Sequence, residues 1–482
     1  FGSRISAQCD MNSASELPLH GLRANHDQTL LHAGLAALVG LALRLVLLPE
    51  AILAKGHAGF SAEGVSFLIC FGVAKAAAGF GAGFLADRLG RRHATIMGWL
   101  VGAALLPAMV IGDEADSSLA LRVADVLLGV HQGLTWGLNI ICLMDLSGPD
   151  GRGRASGLSN AMGYLASAVA APPVAKLAGG SRSSLRELHA GLGITVVLGI
   201  ALAFLAKDTR PWVHAESMGQ VSSGMLDERV ATAFEGPWSW PVALGCGGKV
   251  AFVCSLAGVT VNVATGLIWG PLVLWCRHQE DISPAAIGFI EAAHTSAKVV
   301  GLVAGGVFAD RCGPRRVILC AFVLLALSLA VVAYQTCWVP SAAGLMPTSG
   351  AVGLAIGLAF PALEAATSST APLGQRARAY GGYRMWRDLG YAFGGIAAEI
   401  CARRSSRDAG DGLGAAAAAT SIWSVLLLGL LAVTLPSSAR TLRDTSGEDI
   451  VLQLSQTGNT WLDDSRCAGS VIEGNVGSYR SL

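Results

Sequence analysis

Twelve stretches of about 20 mostly apolar residues run through this chain, and each is long enough to cross the roughly 30 Å hydrocarbon core of a bilayer. They fall at about 30–53, 64–86, 93–112, 118–146, 154–178 and 188–206, then at 250–275, 285–309, 316–337, 344–368, 378–401 and 413–435. Lipid offers backbone amides no hydrogen-bond partner, so segments of this kind are held to α-helices. Composition agrees: 14% of the 482 residues are charged and 52% hydrophobic, where a soluble domain carries about 25% charged residues. The expected fold class is an all-α membrane protein with twelve transmembrane helices. The 61 glycines fit helices that pack closely in lipid.

The chain then divides into a tail at 1–29, a six-helix bundle at 30–206, a linker at 207–249, a second bundle at 250–435 and a tail at 436–482. An even number of spans puts both tails and the linker on one side. Short loops on that side carry Arg88, Arg91, Arg92, Arg152, Arg154, Arg311, Arg315, Arg316, Arg376 and Arg378, and positive loops stay inside. Both termini are therefore expected in the cytoplasm, with the plasma membrane preferred over an organelle. Arg182, Arg186, Arg403, Arg404 and Arg407 stand in the opposite loops.

Several functions are excluded. No nucleic-acid partner is expected, although the net charge of +1 by itself says nothing about one. The eleven cysteines are scattered without CxxC or Cys/His spacing, so no metal site and no cofactor is expected. GCGGKV at 245–250 lacks the spacing and hydroxyl of a phosphate loop. No HExxH or GxSxG motif occurs, and an enzyme is not expected. The expected partners are the lipid bilayer and a small-molecule substrate, and a monomer is expected.

The two bundles are related. GFLADRLGRR begins at Gly83, and GVFADRCGPRR repeats it from Gly306. Gly129 and Gly353, Gly133 and Gly357, and Arg154 and Arg378 keep that same offset to within a single position. One offset kept across three helices makes two pseudo-symmetric six-helix bundles, an architecture that carriers use with the site between the halves.

At Gly83, Leu85, Ala86, Asp87, Arg88, Gly90, Arg91 and Arg92 the chain resembles the major facilitator superfamily, whose loop between helices 2 and 3 reads G-x-L-A-D-R-x-G-R-R. The resemblance runs from about residue 30 to 435, and VHQGLTW (130–136) and YRMWRDLGYAFG (383–394) are similar to an efflux-like prokaryotic branch. It implies a cytoplasmic gate built from Gly83, Asp87, Arg88 and Arg91 with Gly306, Asp310, Arg311 and Arg315. In that gate Asp87 would meet the start of span 11 near Arg376 and Arg378, and Asp310 the start of span 5 near Arg154. Two departures stand out. The stretch AVAAPPVAKLAGG (168–180) is a degenerate form of the antiport motif, and Thr265 stands where the branch carries a carboxylate.

Charges inside a membrane normally face a bundle interior or a watery path. They occur here on spans 1, 2, 4, 8, 10 and 11, while spans 3, 6, 9 and 12 have none away from their ends. Candidates for a substrate cavity are Arg44, Lys75, His131, Gln132, Asn139, Lys298 and Arg387. Candidates for proton or ion coupling are Asp125, Glu291, His294 and Asp388. Glu291, His294 and Lys298 share one helical face, which fits either a proton relay or an internal salt bridge. Gln132 and Asn139 flank Trp136 on one face of span 4, as substrate contacts or as helix-to-helix bonds. Lys75 could pair with Asp388, Arg44 with Glu291, and Arg384 with Asp388, leaving Arg387 as a ligand candidate.

The function expected is a secondary transporter moving a small organic solute, anionic by the excess of cations, through alternating access with ion coupling. Proton-linked efflux of amphipathic compounds past Trp136, Trp269, Trp275 and Trp386 is the alternative. A transporter-like receptor that moves nothing is a further one.

Overall fold

The computed structural model describes residues 19–53, 62–222, 248–279, 281–338, 341–370, 376–404 and 409–435. Twelve long helices follow the expected spans: α1 His26–Leu53, α2 Ala62–Leu89, α3 Arg91–Glu114, α4 Ser118–Ser147, α5 Arg152–Ala178 and α6 Arg182–Leu205. In the second half come α7 Lys249–Arg277, α8 Pro284–Cys312, α9 Pro314–Trp338, α10 Ala342–Thr370, α11 Arg376–Arg404 and α12 Ala409–Thr434. Ten of them are long and apolar enough to cross a membrane on composition alone. The exceptions are α5 and α11, whose many polar and small residues face protein instead of lipid. Helix α7 contains a π-helical turn at Ile268–Leu272, around Pro271, whose missing N–H breaks the regular ladder.

Packing repeats between the bundles. In the first, α1 lies on α5, α2 on α4, and α3 on α4 and α6; in the second, α7 lies on α11, α8 on α10, and α9 on α10 and α12. Across the seam α5 runs along α8 and α2 along α11. Large apolar residues such as Leu100, Val197, Leu327 and Leu426 stay exposed on α3, α6, α9 and α12, which marks the outer supports and their lipid faces.

Glycine sets the closest approaches. A Cβ on Gly133 would lie 2.7 Å from the Lys75 carbonyl, and one on Gly357 would strike the Lys298 carbonyl. The repeat therefore fixes α4 on α2 and α10 on α8 at equivalent places. Gly90 and Gly313, separated by the interval of the repeated loop, end α2 and α8 with φ of 95° and 84°, a conformation a side chain disfavours.

Gly40 is tighter still, since a Cβ there would run into the Gly163 carbonyl where α1 meets α5. Gly40→Ala is expected to lower stability by about 1–3 kcal/mol or more, read as earlier thermal unfolding of the purified protein. Gly81→Ala is the control, because nothing lies within 4 Å of its position. Equal melting of the two variants would refute the packing assignment.

The expected tails fall mostly outside the described residues, at 1–18 and 436–482, as does 223–247 of the linker. The described remainder differs from the expectation. Residues 19–25 are anchored: the Gly21 amide donates to the Leu146 carbonyl at 2.8 Å, and Trp212 Nε1 to the Leu19 carbonyl at 3.2 Å. The linker begins with a helix, Arg210–Ser222, too short and polar to register as a span. Its Glu216 pairs with Arg152 at 2.6 Å. Half-burial pushes the Asp208 carboxyl up, but hydrogen bonds from Arg210 and the Arg91 amide outweigh it and hold the group below the usual carboxylate range.

Candidate functional site

Buried charge gathers in the seam between the bundles. Arg44 of α1 pairs with Glu291 of α8 at 2.9 Å and also donates to Ser167 of α5 and Thr295 of α8. Glu364 of α10 accepts from Ser156, from Asn160 at 3.1 Å, from Tyr380 at 2.9 Å and from Arg387. The first two donors belong to α5 and the others to α11, so Glu364 ties the halves together. Asp388 accepts from Arg384 at 2.9 Å, Arg387 at 3.0 Å and Asn262 at 3.2 Å.

Two lysines stand apart from this pairing. Lys75, at the middle of α2, lies over the faces of Phe71, Trp136 and Tyr391 at 5.0, 5.2 and 5.0 Å. Lys298, at the middle of α8, lies over Tyr164, Trp269 and Phe360 at 3.9, 5.6 and 4.4 Å. They are 2% and 0% exposed. No described residue accepts a hydrogen bond from either ammonium or forms an ion pair with it. Asp388 attracts Lys75 electrostatically, yet its oxygens are held by Arg384, Arg387 and Asn262.

The aromatic rings join into one box. Trp269 stacks on Tyr391 at 5.3 Å and 10°, Trp136 packs on Tyr164 at 4.9 Å, and Tyr164 reaches Trp269 at 6.3 Å. Around it, Lys298 Nζ, Trp269 Nε1 and Arg384 Nε and Nη1 are buried donors without an acceptor among the described residues. Native proteins seldom leave buried polar atoms unmatched, and the same seam also holds buried acceptors without a donor among the described residues, at Glu291 Oε1 and Asn262 Oδ1. A small cavity lined by Leu43, Arg44, Leu47, Leu48 and Trp269 lies beside it.

Several candidate residues lie away from the box or are held by other partners. His131 does not join the seam: Nδ1 contacts the Gly98 carbonyl at 2.9 Å and the ring packs edge-on against Trp99, between α3 and α4. Gln132 donates to the Val39 carbonyl and Asn139 contacts His32, so both tie α4 to α1. Only Trp136 between them reaches the box. The Glu291–His294–Lys298 relay is split three ways, because His294 turns to the Ser349 carbonyl of α10 at 3.0 Å. Arg387, a ligand candidate, is occupied by Glu364 and Asp388. Asp125 lies away from the box, at the start of α4, where Arg122 pairs with it at 2.8 Å and with Glu50 at 3.7 Å.

At the linker end of the seam, Asp310 accepts from the Gly153 and Arg154 amides and from Arg154 Nε, each at 3.0 Å. It thus caps the start of α5, where a helix dipole favours a carboxylate, and Gly306 packs on the Gly153 carbonyl. In the first half Arg91 holds Asp87 at 3.2 Å and Asp145 at 3.3 Å. The side chains of Arg376 and Arg378, expected beside Asp87, lie outside the described residues. A Cβ on Gly381 of α11 would lie 3.4 Å from Gly83 Cα, which brings these two helices together at the motif. Arg88 lies over Phe84, Arg311 is exposed, and Arg315 donates to the Ala432 carbonyl.

Sequence patterns do not single out Glu364 as a member of the site, nor do they join Tyr164, Tyr391, Ser156 and Asn160 to it. One signal was available: Lys75 and Lys298 are separated by the same interval as Gly83 and Gly306, the starts of the repeated loop.

No match was found among curated proteins. Among solved structures, the human organic anion transporter MFSD10 (TETRAN) is similar, with a TM-score of 0.60 and 16% identity over 84% of this chain and 98% of that one. At that identity the likeness shows a shared fold. The sequence profile of the Major Facilitator Superfamily matches residues 30–248 and 250–461, nearly the whole described chain. With its two six-helix bundles and buried polar seam, this chain belongs to the Major Facilitator Superfamily and is a secondary transporter.

Proposed function

We propose that the chain carries a small organic anion across the membrane by alternating access, with its seat in the aromatic box between the bundles. The observation that carries this reading is the set of buried, unmatched donors at Lys298, Trp269 and Arg384. The nearby carboxylates already have cationic partners: Glu291 pairs with Arg44 through Oε2, its Oε1 having no donor among the described residues, Glu364 with Arg387, and Asp388 with Arg384 and Arg387. Five cations (Arg44, Lys75, Lys298, Arg384 and Arg387) thus face three carboxylates. An anion supplies the missing acceptors and charge, whereas a cationic drug would add to the imbalance. MFSD10, which shares the fold, is an organic anion transporter and points the same way.

Orientation and coupling complete the proposal. The arginine-rich loops put the linker end in the cytoplasm. Glu50 and Asp125, two buried carboxyl groups facing the single Arg122, are the coupling candidates, at the far end of α1 and the start of α4.

The test is uptake into reconstituted vesicles of labelled organic anions, lipophilic cations and neutral solutes, with and without a pH gradient. Saturable uptake confined to anions is the expected result. Uptake of lipophilic cations driven by the pH gradient, with anions excluded, would instead support efflux of amphipathic compounds.

A further inference from the structure

Lys75 and Lys298 are one residue seen twice. They share the offset of the repeated loop. Each sits at the centre of its helix, and each backbone carbonyl is covered by the equivalent glycine, Gly133 or Gly357. Trp136 and Phe360, which border them on α4 and α10, keep the offset of those two glycines. One lysine belongs to each bundle, and the two ammonium groups repel across the seam.

The two cages are not separate. Tyr391 covers Lys75 and stacks on Trp269, which covers Lys298; Trp136 covers Lys75 and packs on Tyr164, which covers Lys298. A single box therefore holds two ammonium groups. Ring faces stabilise them where no counter-ion does.

We propose that the substrate is a dianion with its charges at opposite ends, one for Lys75 and one for Lys298, and an apolar middle against the stacked rings. This rests on the reading of the chain as an anion carrier. A monoanion neutralises one lysine and leaves the other uncompensated in a low-dielectric seam, where a bare charge is costly. A dianion matches both and, because the lysines belong to different halves, draws α2 and α8 together. Charge number thereby becomes a condition for closing around the substrate.

Binding of the α,ω-dicarboxylates from succinate to suberate, each compared with its matching monocarboxylate, tests this on purified full-length protein. At least one dicarboxylate is expected to bind roughly thirtyfold tighter than its monocarboxylate, the effect of losing one buried charge contact. Lys75→Gln and Lys298→Gln should each erase that ratio, while Lys75→Arg and Lys298→Arg should retain it. Because the readout is a ratio, general damage to folding, which weakens both ligands alike, does not imitate it. Equal affinities for mono- and dicarboxylates in the unaltered protein, or a ratio that survives both glutamine variants, would overturn the two-point seat and leave an anion carrier with one contact. Binding of no carboxylate at all would overturn the anion reading itself.

Discussion

Lys298→Met is expected to abolish transport while leaving the empty protein as stable as before, or more stable by up to about 2 kcal/mol. The two effects separate because the lysine is 0% exposed and its ammonium has no acceptor among the described residues. Methionine fills similar volume and keeps favourable contact with Tyr164 and Phe360 through its sulfur. It also removes a desolvated charge whose cost only the ring faces offset in the empty protein. On the proposed reading, that cost is borne because the ammonium serves the substrate. Uptake assays and thermal unfolding of the same preparation check the prediction. Unchanged transport, or a loss of several kcal/mol in stability, would make Lys298 a structural residue.

Glu364→Ala is expected to be the most damaging single change in the seam, at about 3–5 kcal/mol. It strips acceptors from Ser156, Asn160, Tyr380 and Arg387 at once, and buried donors left unmatched incur their full desolvation cost. Glu364→Gln is milder: it keeps the shape but weakens the tie between α5 and the pair α10 and α11. Glu364 lies about two turns from the centre of α10 toward the linker end. Glu291, bound to Arg44, lies about two turns, roughly 10 Å, from Lys298 toward the far end. One cross-seam tie thus stands on each side of the lysines. Spin labels at exposed Lys207 and Arg316, both at the linker end, should move apart in Glu364→Gln and stay in place in Glu291→Gln. Identical distances in both variants would refute opposed gates.

The fold was legible because lipid imposes it. A long apolar run has one stable conformation in a bilayer, and a repeated motif such as that at Gly83 and Gly306 reports duplication directly. Even α5 and α11, which are not among the ten helices apolar enough on composition alone, could be read, since Arg154 and Arg378 at their starts hold equivalent places in the repeat. Side-chain partners were far less legible. Arg44 and Glu291 lie 247 residues apart, and nothing local specifies which helix will face which. Glu291, His294 and Lys298 show the limit of helical spacing. They share a face, but that face touches α1, α10 and the aromatic box, and each side chain turns to a different neighbour. A polar residue in a membrane helix normally faces inward, yet one carbonyl at Gly98 and the ring of Trp99 suffice to hold His131 between α3 and α4. The linker helix is illegible in the sequence because short polar segments outside the bilayer carry no signal of spanning length.

The central claim is that two bundles pass a solute between the two membrane faces through a seat holding Lys75 and Lys298. Counterflow tests it most directly: vesicles loaded with an unlabelled dicarboxylate are diluted into a trace of the labelled one. The account predicts a transient accumulation of label above equilibrium, present in the unaltered protein and absent from Lys75→Gln and Lys298→Gln. A flat approach to equilibrium in the unaltered protein, with saturable binding intact, would contradict it and leave a receptor in the shape of a carrier.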